Sequence, residues 1–200
     1  LSIMLNSIEA AQSSHSFLYR GWDVQTTGND LAHAILRGAV NQYGQCIPNY
    51  HYEDMVNLYE MYKDKGFANP ALVIDCNHSN SNKKYMEQIR IAKEIMHNRK
   101  HSNDLKGFVK GLMIESYIEG GNQKVDEHIY GKSITDPCLG WDDTENYYTS
   151  LLKKLKDGVK FVIKLHLYKS TYHTKKGTVY AVPFSLLIIF NILFNHTTLL

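Results

Sequence analysis

Residues 71–78, with the sequence ALVIDCNH, decide the fold. The first six form a short and nearly continuous apolar run, which is typical of a β-strand buried on both faces. Polar residues 77–82 follow this run, and residues 51–65 before it carry apolar side chains at helical spacing up to Gly66. The stretch therefore predicts a buried strand that follows a helix in an α/β protein.

The same alternation continues on both sides of this strand. Residues 31–37 and 108–116 form two further apolar runs, while residues 83–98 and 141–156 have helical spacing. Strands that alternate with helices form a parallel sheet with right-handed crossovers. The pattern fits two architectures, about three units of a (β/α)8 TIM barrel and an open doubly wound sheet.

The remaining segments of the first 150 residues are shorter or more polar. Residues 2–13 predict an amphipathic helix, and residues 15–20 predict a short strand. Residues 21–30, 38–50 and 117–140 are rich in Gly, Asn, Asp or Ser and predict turns and loops.

The composition is that of an ordinary globular chain, with 21% charged and 44% hydrophobic residues. A formal net charge of +2 gives no support for nucleic-acid binding. The charge is unevenly distributed. Residues 1–152 contain 14 Lys or Arg and 19 Asp or Glu, a net charge of −5, whereas residues 153–200 have a net charge of +7. This asymmetry predicts two segments of different character.

Three cysteines, Cys46, Cys76 and Cys138, form no CxxC pair. Their odd number argues against a disulfide scaffold and favours a reducing compartment. We expect all three to be buried core thiols. No basic segment followed by an apolar run opens the sequence, so it predicts no signal peptide and a cytoplasmic location.

Four polar residues end or follow the predicted strands, namely Arg37, His78, Glu115 and Asp136. Parallel α/β folds bind their ligands at the carboxyl ends of the strands. One His and two carboxylates suit a divalent cation such as Mn²⁺, Fe²⁺ or Zn²⁺, and Arg37 suits a phosphate or carboxylate. The alternatives are structural: a loop or capping His, a Glu in a surface ion pair, and a turn-forming Asp before Pro137.

The sequence also contains five long strings in order: AILRG (34–38), PNYH (48–51), VIDCNHSNSNK (73–83), GLMIESYIEGGNQ (111–123) and YGKSITDPCLGWDDT (130–144). Together they resemble the C-terminal part of class I 3-deoxy-D-arabino-heptulosonate 7-phosphate (DAHP) synthase. The resemblance extends over about residues 1–156.

This resemblance implies a transferase with a metal-dependent, aldol-type activity, the condensation of phosphoenolpyruvate with erythrose 4-phosphate. That reaction is the first step of the shikimate pathway of aromatic amino acid biosynthesis. His78, Glu115 and Asp136 would bind a divalent Mn, Fe, Zn or Co ion, and Arg37 would bind phosphoenolpyruvate. No catalytic residue is implied beyond these sites. Residues 1–156 would form about the last three units of a (β/α)8 barrel, in a family whose members are commonly homo-oligomers.

The resemblance also implies that part of the family's active site lies outside this sequence. The family's fourth metal ligand, a cysteine, and most of its phosphate-binding Lys and Arg residues belong to barrel units before residue 1. We therefore expect catalysis by this chain to be impaired or absent without a complementary N-terminal portion.

Residues 157–200 are a basic and apolar tail outside the resemblance. Within it, residues 179–194 (VYAVPFSLLIIFNILF) are strongly apolar, but a membrane helix needs about 20 residues. The tail is a short membrane or interface anchor, a packed terminal element, or non-family sequence fused to a truncated gene, which we favour. The alternative functions are a non-catalytic remnant that binds a partner or membrane through this tail, and a generic metal-binding α/β domain.

Overall fold

The computed structural model describes residues 1–154, 161–165 and 184–190. The helices of this part are α1 (Ser2–Gln12), α2 (Tyr52–Lys65), α3 (Glu87–His101), α4 (Asn103–Phe108) and α5 (Trp141–Lys154). The strands are β1 (Ser16–Tyr19), β2 (Trp22–Gln25), β3 (Ala34–Leu36), β4 (Ala39–Val40), β5 (Cys46–Ile47), β6 (Leu72–Asp75), β7 (Val109–Ser116), β8 (Glu119–Asn122), β9 (Lys132–Ser133), β10 (Phe161–Leu165) and β11 (Phe184–Phe190).

A five-stranded mixed sheet forms the centre of the fold, in the order β10-β11-β7-β6-β3. Strands β3, β6 and β7 are parallel neighbours, with Ile74 of β6 in register with Leu36 on one side and Leu112 on the other. All four residues of β6 are buried, as its apolar run predicts. The α/β class and the three parallel strands are therefore confirmed.

Helices α2 and α3 supply much of the core. Met55 and Leu58 of α2 and Ile91 and Ile95 of α3 are fully buried, which matches the predicted helical spacing. The hydroxyl of Tyr62 in α2 accepts a hydrogen bond from the backbone N–H of Ala34 (2.9 Å) and donates one to the carbonyl oxygen of Ala71 (3.2 Å). This buried side chain joins α2 to the beginnings of both β3 and β6.

Several boundaries differ from the sequence-based predictions. Residues 21–30, predicted as a turn, contain β2, because left-handed Arg20 and Gly21 (φ 51° and 83°) close a two-residue hairpin with β1. Helix α3 begins at Glu87 rather than at residue 83, since Asn82 and Lys83 also have left-handed backbone (φ 53° and 58°).

Five further short elements were not predicted. Helix α4 was not predicted; it is only six residues long and is capped by the Ser102 hydroxyl, which accepts a hydrogen bond from Leu105 N–H (3.3 Å). Within the predicted loops, β4 pairs with β5 and β8 pairs with β9.

The tail contributes two strands to the sheet. Strand β11 pairs antiparallel with β7, and β10 pairs antiparallel with β11. Strand β7 is therefore paired on both edges, by β6 and by β11. The rest of residues 157–200 lies outside the described residues. Among the residues that are described, no helix is long and apolar enough to cross a membrane.

Candidate functional site

The carboxyl ends of β6 and β7 bring three of the predicted site residues together. His78 lies three residues beyond the end of β6, Glu115 is the penultimate residue of β7, and Asp136 lies in the loop between β9 and α5. The His78 Nε2 atom is 3.3 Å from Glu115 Oε1 and 3.3 Å from Asp136 Oδ2. One candidate ligand atom from each residue lies within 4.8 Å of the other two.

Asp75, the last residue of β6, fixes the orientation of His78 through the Nδ1 atom of the imidazole. Asp75 Oδ2 lies 2.8 Å from His78 Nδ1, and Asp75 itself is buried. With the proton on Nδ1, the imidazole donates to this carboxylate and turns the lone pair of Nε2 towards Glu115 and Asp136. His78 has left-handed backbone (φ 49°), a conformation that is uncommon for residues other than Gly and recurs at functional sites.

Glu115 is held by two buried amides. The Asn77 side chain donates a hydrogen bond to Glu115 Oε2 over 2.7 Å. The amide of Gln88 in α3 accepts from the N–H of Glu115 (2.8 Å) and donates to its carbonyl oxygen (3.1 Å). Burial raises the pKa of the Glu115 carboxyl above its ordinary value, although the hydrogen bond from Asn77 opposes this increase.

Asp136 is the most exposed member of the group, with a side chain that is 32% exposed. Its Oδ1 atom forms an ion pair with Lys83 Nζ at 3.1 Å, while Oδ2 faces His78. Lys83 follows the His78 turn and is itself well exposed, so this ion pair contributes at most about 1 kcal/mol to stability. The Lys83 side chain nevertheless places a cation at the open side of the group.

Arg37, the fourth predicted site residue, lies at the end of β3, next to the strand that leads to His78. Its side chain is exposed and forms no ion pair with any residue in the described part of the chain. The structure therefore places Arg37 on the same edge of the sheet as the other three residues, without an ion pair to them.

The turn after Arg37 packs closely against the turn that carries His78. Gly38 has φ 75°, and a Cβ atom at this position would lie 2.6 Å from Ser79 Cβ. The buried Asn80 amide donates to the carbonyl oxygens of Leu36 (3.2 Å) and Asp75 (2.8 Å). These contacts hold the carboxyl ends of β3 and β6 at a fixed distance from each other.

The three converging atoms fit a divalent cation. Carboxylate oxygens only accept hydrogen bonds, and Nε2 of an imidazole protonated on Nδ1 also accepts, so a proton or a cation must lie between them. One imidazole nitrogen and two carboxylate oxygens suit Mn²⁺, Fe²⁺, Co²⁺ or Zn²⁺ better than the all-oxygen sites of Ca²⁺ and Mg²⁺. Three protein ligands leave coordination positions open for a substrate or water.

The residues that support these ligands were not among the predicted site residues. Asp75, Asn77 and Gln88 are 2%, 0% and 0% exposed, and each binds a candidate ligand directly. For Asp75 the sequence did offer a signal, since it is an acidic residue in an otherwise apolar strand. A buried carboxylate requires a partner, so a nearby polar side chain could have been expected. The buried amides gave no such signal, since Asn and Gln are ordinary residues of loops and helices.

The cysteines take no part in the group. Cys76 and Cys138 are fully buried, as expected, whereas Cys46 in β5 is only half-buried, because β4 and β5 form a separate two-stranded ribbon outside the central sheet. Burial raises the pKa of the Cys76 thiol and raises that of Cys138 to about 12, so neither is a thiolate at neutral pH.

Comparisons with known proteins place this arrangement in a family. The chain is 40% identical over 154 residues to the Trp-sensitive phospho-2-dehydro-3-deoxyheptonate aldolase of Enterobacter agglomerans, covering 72% of this chain and 41% of that protein. It is 35% identical over 167 residues to the Trp-sensitive phospho-2-dehydro-3-deoxyheptonate aldolase of Buchnera aphidicola subsp. Baizongia pistaciae, covering 80% of this chain and 44% of that protein. The chain thus spans about two fifths of the length of these relatives.

A solved structure gives the same result. The phospho-2-dehydro-3-deoxyheptonate aldolase of Francisella tularensis SCHU S4 superposes with a TM-score of 0.63 at 30% identity, covering 77% of this chain and 45% of that one. The model of the DAHP synthetase I family matches residues 1–149. The chain belongs to the DAHP synthetase I family.

Proposed function

We propose that this chain forms the C-terminal part of a DAHP synthase, which condenses phosphoenolpyruvate with erythrose 4-phosphate. Residues 1–156 would form about the last three units of a (β/α)8 barrel, followed by residues 157–200 as a basic and apolar tail. The observation that carries the proposal is the convergence of His78, Glu115 and Asp136 at the carboxyl end of parallel strands, where this class of fold holds its active site.

His78 Nε2, Glu115 Oε1 and Asp136 Oδ2 are the atoms that would hold a divalent Mn, Fe, Zn or Co ion. Such an ion, when bound, supplies Lewis-acid polarisation of a carbonyl oxygen. A proton on His78 Nδ1, directed at Asp75, would leave Nε2 free as a ligand.

Arg37 would bind the phosphate or carboxylate of phosphoenolpyruvate. Its guanidinium group can form bidentate hydrogen bonds with either group. The contacts of Gly38 and Asn80 hold the end of β3 beside the turn that carries His78. Lys83 offers a second cation at the open side, where an anionic substrate would arrive.

The chain spans about two fifths of the length of its relatives. We propose that it works with a complementary N-terminal portion, which would supply further phosphate-binding groups. We also propose that it acts in the cytoplasm and within a homo-oligomer. The strand pairing of β11 with β7 supports a structural role for that part of the tail.

The test is phosphoenolpyruvate binding and consumption by the purified chain with Mn²⁺ and erythrose 4-phosphate. The chain alone should bind phosphoenolpyruvate weakly, and Arg37→Ala should remove that binding, whereas Arg20→Ala, in the β1–β2 turn, should not. Phosphate release should appear only when the N-terminal portion of a relative is added. Equal phosphoenolpyruvate binding by the wild type and Arg37→Ala would overturn the assigned role, and turnover by the chain alone would overturn the need for a second portion.

A further inference from the structure

The side chain of Asn77 connects all the segments that carry the candidate ligands. It is fully buried in the turn after β6, one residue before His78. Its Nδ2 atom donates to Glu115 Oε2 at 2.7 Å and to the carbonyl oxygen of Pro137 at 3.2 Å. Asn77 thus reaches the end of β7 and the loop that contains Asp136.

The orientation of this amide is fixed by its surroundings. Both neighbours of Nδ2 are pure acceptors, a carboxylate and a carbonyl, so Nδ2 and not Oδ1 must face them. Oδ1 accepts a hydrogen bond from the Ser81 hydroxyl (2.8 Å), and the backbone N–H of Asn77 donates to Asp75 Oδ1 (2.9 Å). Every polar atom of the side chain is therefore paired, which restricts it to one rotamer.

We propose that Asn77 is a positioning residue for metal binding, which holds Glu115 and the Asp136 loop in the geometry where both face His78. This inference rests on the proposed function, because it assumes that the three ligands bind a cation. Asn77 binds Oε2 of Glu115 and leaves Oε1, the atom that faces His78 Nε2, free for the cation. Its second bond is to the residue directly after Asp136.

Loss of this side chain has a definite expected effect. Without it, the Glu115 carboxylate is free to rotate, and the Asp136 loop loses its bond to the end of β6. Residues that orient metal ligands in this way typically change affinity by about 10- to 100-fold when they are replaced. We expect that loss for Co²⁺ in Asn77→Ala, and a smaller loss in Asn77→Ser, whose single hydroxyl donor cannot satisfy both acceptors.

The test is Co²⁺ titration of the full chain, followed by its visible absorption spectrum, which reports coordination geometry independently of activity. Thr144→Val is the matched control. Thr144 is also buried, and its hydroxyl bonds to Ser116 Oγ (2.7 Å) and the Gly140 carbonyl oxygen (2.9 Å), neither of which belongs to a candidate ligand. The control should lose stability but keep the wild-type Co²⁺ affinity and spectrum.

The outcomes separate this inference from the proposed function. An altered spectrum and weaker binding in Asn77→Ala, absent in Thr144→Val, would support it. Should Asn77→Ala not fold, Asn77→Ser provides the same comparison. If a folded Asn77 variant kept the wild-type Co²⁺ affinity and spectrum, the inference would be overturned while the metal site would stand. The same conclusion would follow if Thr144→Val lost as much Co²⁺ affinity as Asn77→Ala. Absence of Co²⁺ binding by the wild type would overturn both.

Discussion

Asp75 Oδ2 lies 2.8 Å from His78 Nδ1, and the Asp75 side chain is 3% exposed. The carboxylate ends the central buried strand and orients the imidazole that follows it. A carboxylate that accepts a hydrogen bond from the second nitrogen of a ligating histidine fixes the orientation of the ring. It also raises the basicity of the nitrogen that faces the metal. The relationship explains why a charged residue occupies an otherwise apolar strand.

Replacement of Asp75 by asparagine tests this arrangement. Asp75→Asn keeps the shape of the side chain but removes its charge, so we expect Mn²⁺ affinity to fall by about 10- to 100-fold. Calorimetric titration of the full chain measures this change. Asp23→Asn, in the exposed strand β2, is the control and should bind as the wild type does. Unchanged affinity in Asp75→Asn would show that the carboxylate has no role in orienting His78.

The close approach of the Arg37 and His78 turns is tested with two glycines. Gly38 and Gly44 both have left-handed backbone, with φ 75° and 77°, so alanine at either position should cost about 1 kcal/mol in conformational strain. Only at Gly38 would the new Cβ meet other atoms, at 2.6 Å from Ser79 Cβ and 2.9 Å from Asn80 N, whereas Gly44 faces open space.

We therefore expect Gly38→Ala to lower the free energy of unfolding more than Gly44→Ala, by roughly a further 1–3 kcal/mol from overpacking. Urea denaturation of both variants measures the difference. Equal losses would mean that the two turns are not in the close contact described.

Alkaline pH should destabilise the fold through Cys138. The pKa of its buried thiol is raised to about 12, whereas an unfolded cysteine titrates near about 8.5. Above that pH the unfolded chain releases a proton that the folded chain keeps. The contribution to stability is therefore complete below about pH 8.5 and is lost as pH rises towards 12, with a slope of at most about 1.4 kcal/mol per pH unit.

The readout is the free energy of unfolding at about pH 8 and about pH 10. In Cys138→Ala, the free energy of unfolding should depend less on pH than in the wild type, whatever the effect of the substitution on stability at about pH 8. An identical pH dependence in both proteins would contradict the raised thiol pKa.

Strand β11 should protect the edge of β7. Leu187 and Ile188 lie opposite Met113 and Leu112. The N–H groups of adjacent strand residues point to opposite sides, so one of the two faces β7. Proline removes that donor, and the double variant Leu187→Pro/Ile188→Pro should increase amide hydrogen exchange in β7 and promote aggregation through its exposed edge.

The matching control is Ile163→Pro/Lys164→Pro in β10, which pairs with β11 and not with β7. Exchange in β7 should change less in this variant. Protection of β7 that is unaffected by prolines in β11 would show that the tail strand does not cover this edge.

Much of the parallel sheet was predictable, because buried parallel strands are short apolar runs and residues 71–76 are such a run. His78, Glu115 and Asp136 were selected because they end or follow those runs, and the family resemblance implied the same three ligands. Arg37 was assigned to the same edge of the sheet, and among the described residues its exposed side chain forms no ion pair with the other three.

Other features gave no usable signal. The β1–β2 hairpin depends on left-handed backbone at Arg20, a conformation that the residue type does not indicate. Residues 184–190 are an apolar run without periodicity, which does not distinguish a strand from a buried or membrane helix. Their pairing with β7 depends on the edge of that strand that β6 leaves unpaired.

The most direct test of the account is Mn²⁺ binding by the purified full chain, compared with His78→Ala and with His33→Ala. His33 is exposed and bonds only to the Leu31 carbonyl oxygen among described residues, so its replacement should leave binding unchanged. We predict one bound Mn²⁺ in the wild type and loss of that binding in His78→Ala. A folded wild-type chain that binds no Mn²⁺, or a His78→Ala variant that binds it equally well, would contradict the assignment of this site.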